Sequence, residues 1–260
     1  MSAYIGGFDA GALANGEALG QLRAHYKEHG FAVVRSLYDC ARVDELLRIC
    51  NRVRQSWERF PLTDNPLVGD EANYMRHVNH IEYHREQPDE LAAVLNAAGD
   101  PTLLACVSAA LGGEDFVWAG VLSLYFNPKP AGSADGFWHK DQIKPEPIHE
   151  WEDARDCDTG VVLHCQTALV PGEDLELVPN SHSRDYTTEE RAICIPHRDA
   201  LDSGRARSNV MPGAVRFWLE PGDALFFNVS THHASWWRAV ATALLMDAWC
   251  LSSSLGCVHP

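Results

Sequence analysis

The chain has 260 residues, 46% of them hydrophobic and 22% charged, enough apolar material for one large domain with a substantial buried core. Its formal net charge of −15 argues against nucleic acid or an anionic membrane surface as the main partner, because either would repel it. The N-terminus lacks a basic stretch followed by an apolar run, and no apolar segment is expected to reach the length of a membrane span.

Glu17 to His29 reads as a helix capped by Gly30, followed by a short strand from Phe31 to Arg35. From Asp39 onward, Val43, Leu46, Leu47, Cys50, Val53 and Trp57 recur at helical spacing and predict a long amphipathic helix. Asp39 or Asp44 would place a carboxylate near its positive N-terminal end. The stretch from Phe60 to Tyr83, rich in His, Asn and Asp, reads as irregular. Two helices follow, Pro88 to Ala98 and Pro101 to Leu111, the second with Asp100 as N-cap and Pro101 in its first turn.

Past Gly112-Gly113 the texture changes. Phe116 to Phe126 is β-prone and apolar on both faces, the pattern of a buried strand. Strand-like runs then alternate with turns: Val161 to Val170, Leu175 to Val178, Val215 to Leu219, Ala224 to Asn228 and Thr242 to Leu251. Glu220-Pro221-Gly222-Asp223 is a strong turn between two of them. Arg191 to Met211, with Arg198, Arg205 and Arg207 among Gly and Ser, reads as an inserted loop. It is either a solvated excursion or a lid over the mouth of a site. The fold expected is α+β: a mainly helical part, 1–115, packed on a double-stranded β-helix of the jelly-roll, cupin-like kind, 116–260. The whole chain, 1–260, is read as one domain. Eight cysteines include no Cys-x-x-Cys pair, and Cys106 and Cys165 sit in apolar runs, so buried free thiols and a reducing, cytoplasmic setting are expected.

Two places carry chemistry: Trp138-His139-Lys140-Asp141 and, far downstream, His232-His233. Residues i and i+2 of a strand point to one face, so His139 and Asp141 can converge on one metal. With one distant histidine they make the two-histidine, one-carboxylate set that binds Fe(II) and leaves positions open for substrate chemistry. His232 and His233 are adjacent and point to opposite faces, so one of them alone can complete that set. His77, His80 and His84 stand at helix-like spacing and form either a second metal site or polar residues at a rim. Trp236-Trp237 line a ring-shaped substrate or belong to the core. The absence of a glycine-rich phosphate loop and of a Gly-x-Ser-x-Gly elbow argues against nucleotide and acyl-transfer chemistry.

Six motifs occur in an order and spacing that resembles the phytanoyl-CoA dioxygenase family of Fe(II)/2-oxoglutarate oxygenases, over most of the chain. They are His25-Tyr-Lys-Glu-His-Gly-Phe-Ala-Val-Val34, Leu124-Tyr-Phe-Asn-Pro-Lys-Pro130, Trp138-His-Lys-Asp-Gln142, Gln166-Thr-Ala-Leu169, Leu177-Val-Pro-Asn-Ser-His182 and Gly222-Asp-Ala-Leu-Phe-Phe227. The resemblance implies an enzyme with His139 and Asp141 as iron ligands. The third ligand, about eleven residues after the glycine of the Gly-Asp turn, is then His233, with Ser235 matching a family serine two residues beyond. His232 becomes a polar neighbour hydrogen-bonded at the rim, and Ser181-His182 a structural turn. The implied cofactors are Fe(II), 2-oxoglutarate as co-substrate and O2, with decarboxylation to succinate and CO2 driving oxidation of an unactivated C–H. Family halogenases replace the carboxylate that Asp141 retains, so hydroxylation is favoured over chlorination. Oxidative cyclisation, desaturation or epimerisation on the same site are the alternatives.

The far carboxylate of 2-oxoglutarate calls for a cation, and the planar fork of arginine suits it. In the family that arginine begins the strand after the third ligand, where this chain has Thr242. Arg238, four residues earlier, and Arg216, on a neighbouring predicted strand, are the substitutes. Gln166, at the place of a family tryptophan, adds a hydrogen bond. The missing arginine motivates a rival of another class, a jelly-roll binding protein that no longer uses 2-oxoglutarate. The expected partner is a small organic molecule, by analogy in natural-product tailoring, acted on by a monomer or homodimer without nucleic acid or membrane.

Overall fold

In the computed structural model, residues 7–55, 75–113, 116–126, 138–140, 162–172, 175–194, 211–235 and 242–250 are described. Local signals set the helices of the first half. Helix α1 (Gly16–His29) starts where the Asn15 side chain accepts from Glu17 N–H and stops at Gly30, whose φ of 80° is left-handed. Helix α2 (Cys40–Gln55) buries Val43, Leu46, Ile49, Cys50 and Val53 along one face, and Asp39 accepts from Arg42 N–H at its start. Helices α3 (Pro88–Ala98) and α4 (Pro101–Leu111) each carry proline in the first turn, and Asp100 caps α4.

Taken as one stretch, Pro88–Leu111 is 24 residues long and apolar enough to cross a membrane by length and composition, which corrects the expectation above. Gly99-Asp100-Pro101 breaks it into two 11-residue helices, each about 16 Å long against a hydrocarbon core of about 30 Å. Their apolar faces, Val94, Ala97, Leu103, Val107 and Leu111 among them, are buried in the protein's own core.

The strands are β1 (Phe8–Asp9), β2 (Phe31–Arg35), β3 (Met75–His77), β4 (Phe116–Phe126), β5 (Val162–Ala168), β6 (Leu175–Leu177), β7 (Val215–Arg216), β8 (Ala224–Asn228), β9 (His233–Ser235) and β10 (Thr242–Cys250). They form a seven-stranded sheet, β1-β2-β8-β5-β10-β4-β3, and a three-stranded sheet, β7-β6-β9. Alternation splits the large sheet into two apolar faces. Ala32, Val34, Leu122, Leu163, Cys165, Ala224 and Phe226 pack with the helices. Phe31, Val33, Ala168, Leu225 and Phe227 pack instead with Leu175, Leu177, Phe217 and Leu219 of the second sheet and its flanks. Helices therefore cover one side of the large sheet and the small sheet covers the other.

Three expectations need correction, and one strand, β1, has no counterpart in the sequence reading. The stretch read as irregular contains β3, a three-residue edge strand paired with β4. Strand β7 ends at Arg216, and Leu219 pairs only through an isolated bridge to Gly172. Strand β1 pairs with β2 in parallel but is too short to show in a sequence pattern. A helix, α5 (Thr188–Ile193), occupies the start of the segment read as a loop from Arg191; residues 195–210 lie outside the described set. Cys50, Cys106 and Cys165 are buried free thiols, and burial pushes the Cys50 thiol up to about 12.

Candidate metal centre

His233 is delivered by a tight turn after β8. Thr231 N–H donates to Asn228 O at 2.8 Å, Ser230 N–H to Asn228 Oδ1 at 2.8 Å, and Thr231 Oγ1 to Gly30 O at 3.1 Å. β9 then pairs with β6, setting His233 opposite Leu177. On its other side His233 exchanges both backbone hydrogen bonds with His139, each 3.0 Å. Such directly opposed residues present their side chains on one face. The His139 and His233 ring centroids are accordingly 4.3 Å apart, with the planes at 51°.

The protonation of the His233 ring follows from its contacts. Its Nδ1 lies 2.9 Å from Thr231 O. A carbonyl can only accept, so Nδ1 carries the proton, and in the neutral ring this leaves Nε2 as the nitrogen that could bind a metal. The Phe227 ring stands 5.1 Å from His233, and His164 stands 5.1 Å from Phe227. Gln166 lies two residues from His164 on the same face of β5, in register with Leu225. His139, His233, Phe227, His164 and Gln166 thus line the space between the sheets.

Other candidates fall elsewhere. Asp141, Arg238 and the Trp236-Trp237 pair lie outside the described residues. Ser235 pairs with Leu175 at the end of β9, and Thr242 heads β10 opposite Phe126. Arg216 is not brought to the histidines. Its row across the small sheet is Arg216–Glu176–Ala234, whereas His233 belongs to the row Val215–Leu177–His233, which faces the opposite way. Its guanidinium is bonded to the buried Glu176 carboxylate, with Nε at 2.6 Å. Strand β10 carries no Lys or Arg at any position from 242 to 250, so no register of that strand supplies the expected cation.

Of the histidines read as a second metal site, His80 and His84 each have a local use in the fold. His84 is buried and donates from Nε2 to Val78 O at 2.6 Å, while its Nδ1 accepts from Arg52 at 3.1 Å. His80 caps the turn Ile81–His84. Among the described residues no group of three or more His, Cys, Asp or Glu side chains is arranged to hold a metal.

His232 is not at a rim. It is fully buried, both ring nitrogens lack a hydrogen-bond partner, and it stacks on Tyr186 with centroids 4.3 Å apart. Burial first, and then the nearby Lys140, hold its pKa below the usual value, against the pull of Glu190. Lys140 also turns away from His139 and is buried; burial and Arg184 lower its ammonium to about 8. The sequence draws attention to His232 only as a possible ligand and to Lys140 not at all, because the role of each is defined by what packs behind the strand. Their positions between or beside the candidate ligands are the only signal.

The profile described as Phytanoyl-CoA dioxygenase (PhyH) matches residues 26–236. The chain belongs to the phytanoyl-CoA dioxygenase family. That match spans the Gly30 cap, the His139 segment and the turn to His233. Among solved structures, the chain is similar to the non-heme alpha ketoglutarate dependent epimerase SnoN from nogalamycin biosynthesis. The TM-score is 0.58 at 16% identity, covering 91% of this chain and 84% of that one. It is also similar to the carbocyclase SnoK from the same biosynthesis, with TM-score 0.56 at 14% identity over 94% and 87% of the two chains. HygX from Streptomyces hygroscopicus, solved with nickel and 2-oxoglutarate bound, gives TM-score 0.55 at 13% identity over 89% and 87%. At these identities the likeness is one of fold. Comparison with curated proteins gives no match.

Proposed function

We propose that this family member is an Fe(II)- and 2-oxoglutarate-dependent oxygenase with iron held by His139, Asp141 and His233. The observation that carries the reading is the reciprocal backbone pair between His139 and His233, which sets two imidazoles side by side on one face. Two neutral nitrogens and a carboxylate fit Fe(II) and leave positions for a chelating 2-oxo acid. Bound iron and 2-oxoglutarate supply the O2-derived oxidant for a C–H bond of a small organic substrate. The chain's own part is to fix the His233 tautomer through Thr231 O, to keep water off the site with Phe227, and to offer Gln166 for hydrogen bonding. Arg238 is the proposed cation for the far carboxylate of 2-oxoglutarate, since Arg216 is committed to Glu176 and β10 is without basic residues.

The two sheets are read as the halves of a double-stranded β-helix. What supports this is that the chain alternates between them from β5 onward: β6 and β7, then β8, then β9, then β10. The shared core of helices and large sheet supports one domain over 1–260. Epimerisation, desaturation or oxidative cyclisation is the second reading, because SnoN is an epimerase and SnoK a carbocyclase. Natural-product substrates are proposed on the same ground.

The test is succinate release from 2-oxoglutarate by Fe(II)-loaded protein in air. Turnover should disappear in His139→Ala and His233→Ala and survive in part in Gln166→Ala. Equal succinate from wild type and both histidine variants would refute the assignment.

A further inference from the structure

Behind the two histidines, on the reverse face of their strands, lies a buried polar layer that the proposed coordination does not use. Lys140 is 7% exposed and sits between His139 and Asp141 in sequence; His232 is 0% exposed and precedes His233. Lys140 Nζ donates to Ser181 O at 2.7 Å and to Arg184 O at 3.2 Å. It also lies 5.0 Å from the centroid of Tyr186. The Tyr186 ring stacks on His232, and His232 Nδ1 is 3.6 Å from Glu190 Oε1. Glu190 is gripped by Arg184 through two hydrogen bonds of 2.7 and 2.6 Å and closes a capping box with Thr187 at the start of α5. The His232 backbone is held by the same segment: its N–H donates to Ser181 Oγ at 2.8 Å, and its C=O accepts from Val178 N–H at 2.9 Å.

The contacts of Lys140 and His232 all run to one stretch of chain, 178–190, which the Arg184–Glu190 pair and the Thr187–Glu190 capping box brace internally. Among the described residues the 138–140 segment and β9 otherwise meet through one isolated bridge, His139–His233, which by itself does not fix their relative twist. Lys140, with two carbonyl acceptors on one side, removes that freedom for the 138–140 segment. His232, held by backbone and ring, removes it for the other strand.

We propose that segment 178–190 is the positioning element of the metal centre, with Lys140 and His232 as its positioning residues. It sets the separation and relative rotation of the ligand strands so that their nitrogens converge before metal arrives. This rests on the assignment of His139 and His233 as ligands. Supporting groups behind metal ligands act on affinity and ligand geometry as well as on stability. A layer that only holds the fold together acts on stability alone.

Isothermal titration with Co(II), together with the visible spectrum of the Co(II) protein, separates the two roles. The variants are Lys140→Met, His232→Phe and, as control, Glu90→Gln, which disturbs the pairing of a buried carboxylate on α3 with Arg48 and Arg52 of α2. Lys140→Met and His232→Phe should weaken Co(II) binding by about 10-fold to 100-fold and shift its visible bands. Glu90→Gln should lose thermal stability with metal affinity and bands unchanged. If Lys140→Met does not fold, Tyr186→Leu removes the ring shared by Lys140 and His232 and should show the same shift. Variants that match wild type in affinity and spectrum would overturn the positioning role while leaving the ligands intact. A wild type that binds no Co(II) would instead remove the metal centre, and this proposal with it.

Discussion

Replacing Asp223 by alanine removes the most heavily used carboxylate at the β8 entrance. Asp223 is buried and accepts three hydrogen bonds: from Arg35 Nη1 at 2.6 Å, Ser36 N–H at 2.9 Å and Glu220 N–H at 2.9 Å. Ser36 is also held at a φ of 53°, a left-handed conformation unfavourable for a side-chain-bearing residue. Losing the acceptor strands two backbone N–H groups, at about 1–2 kcal/mol each. The Arg35 pair adds about 1 kcal/mol after allowing for the solvent that reaches its guanidinium. The expected total is about 3–5 kcal/mol, which for a chain of this size lowers Tm by about 10 °C. Asp223→Asn keeps one acceptor oxygen and should lose about half as much. Thermal melts by circular dichroism, with urea midpoints for both variants, give the comparison. A Tm for Asp223→Ala within about 2 °C of wild type would refute the reasoning, as would an Asn variant as damaged as Ala.

Gly30→Ala should cost about 2–4 kcal/mol. The φ is +80°, and the new Cβ would lie 2.4 Å from His182 Nδ1 and 2.6 Å from Thr231 Oγ1; urea denaturation measures the loss. His182 gives a pH dependence. Burial, only partly opposed by its hydrogen bond to Lys27 O, lowers its pKa from 6.5 to about 4. The unfolded chain therefore takes up this proton first, so the contribution is complete above pH 6.5 and is lost as pH falls towards 4. Denaturant curves at pH 7 and 4.5 should show His182→Gln losing up to about 3 kcal/mol less than wild type across that window; equal slopes would contradict it.

The parts of the fold legible from sequence are those with local causes. Asp100-Pro101 and Gly112 bracket α4, Gly30 ends α1, and the uniform apolar run from Phe116 to Phe126 marks β4. Strands β1 and β3 exist only because β2 and β4 offer them an edge, so no residue pattern announces them. Helix α5 does have a local signal, the Thr187-x-x-Glu190 capping box, but its six residues are too few for periodicity to show. For the site, strand alternation separates His232 from His233 once their pairing is known. What the alternation cannot reveal is the opposite face. Lys140 meets Ser181 O and Arg184 O only through tertiary packing, and Arg216 is claimed by Glu176, forty residues earlier.

The most direct test of the central claim is an anaerobic titration of the Fe(II)-loaded protein with 2-oxoglutarate, following the visible metal-to-ligand charge-transfer band. Wild type should give a saturable band that is lost in His233→Ala, with weaker 2-oxoglutarate binding in Arg238→Ala. Iron that binds without giving the band, or a band that survives His233→Ala, would contradict the claim.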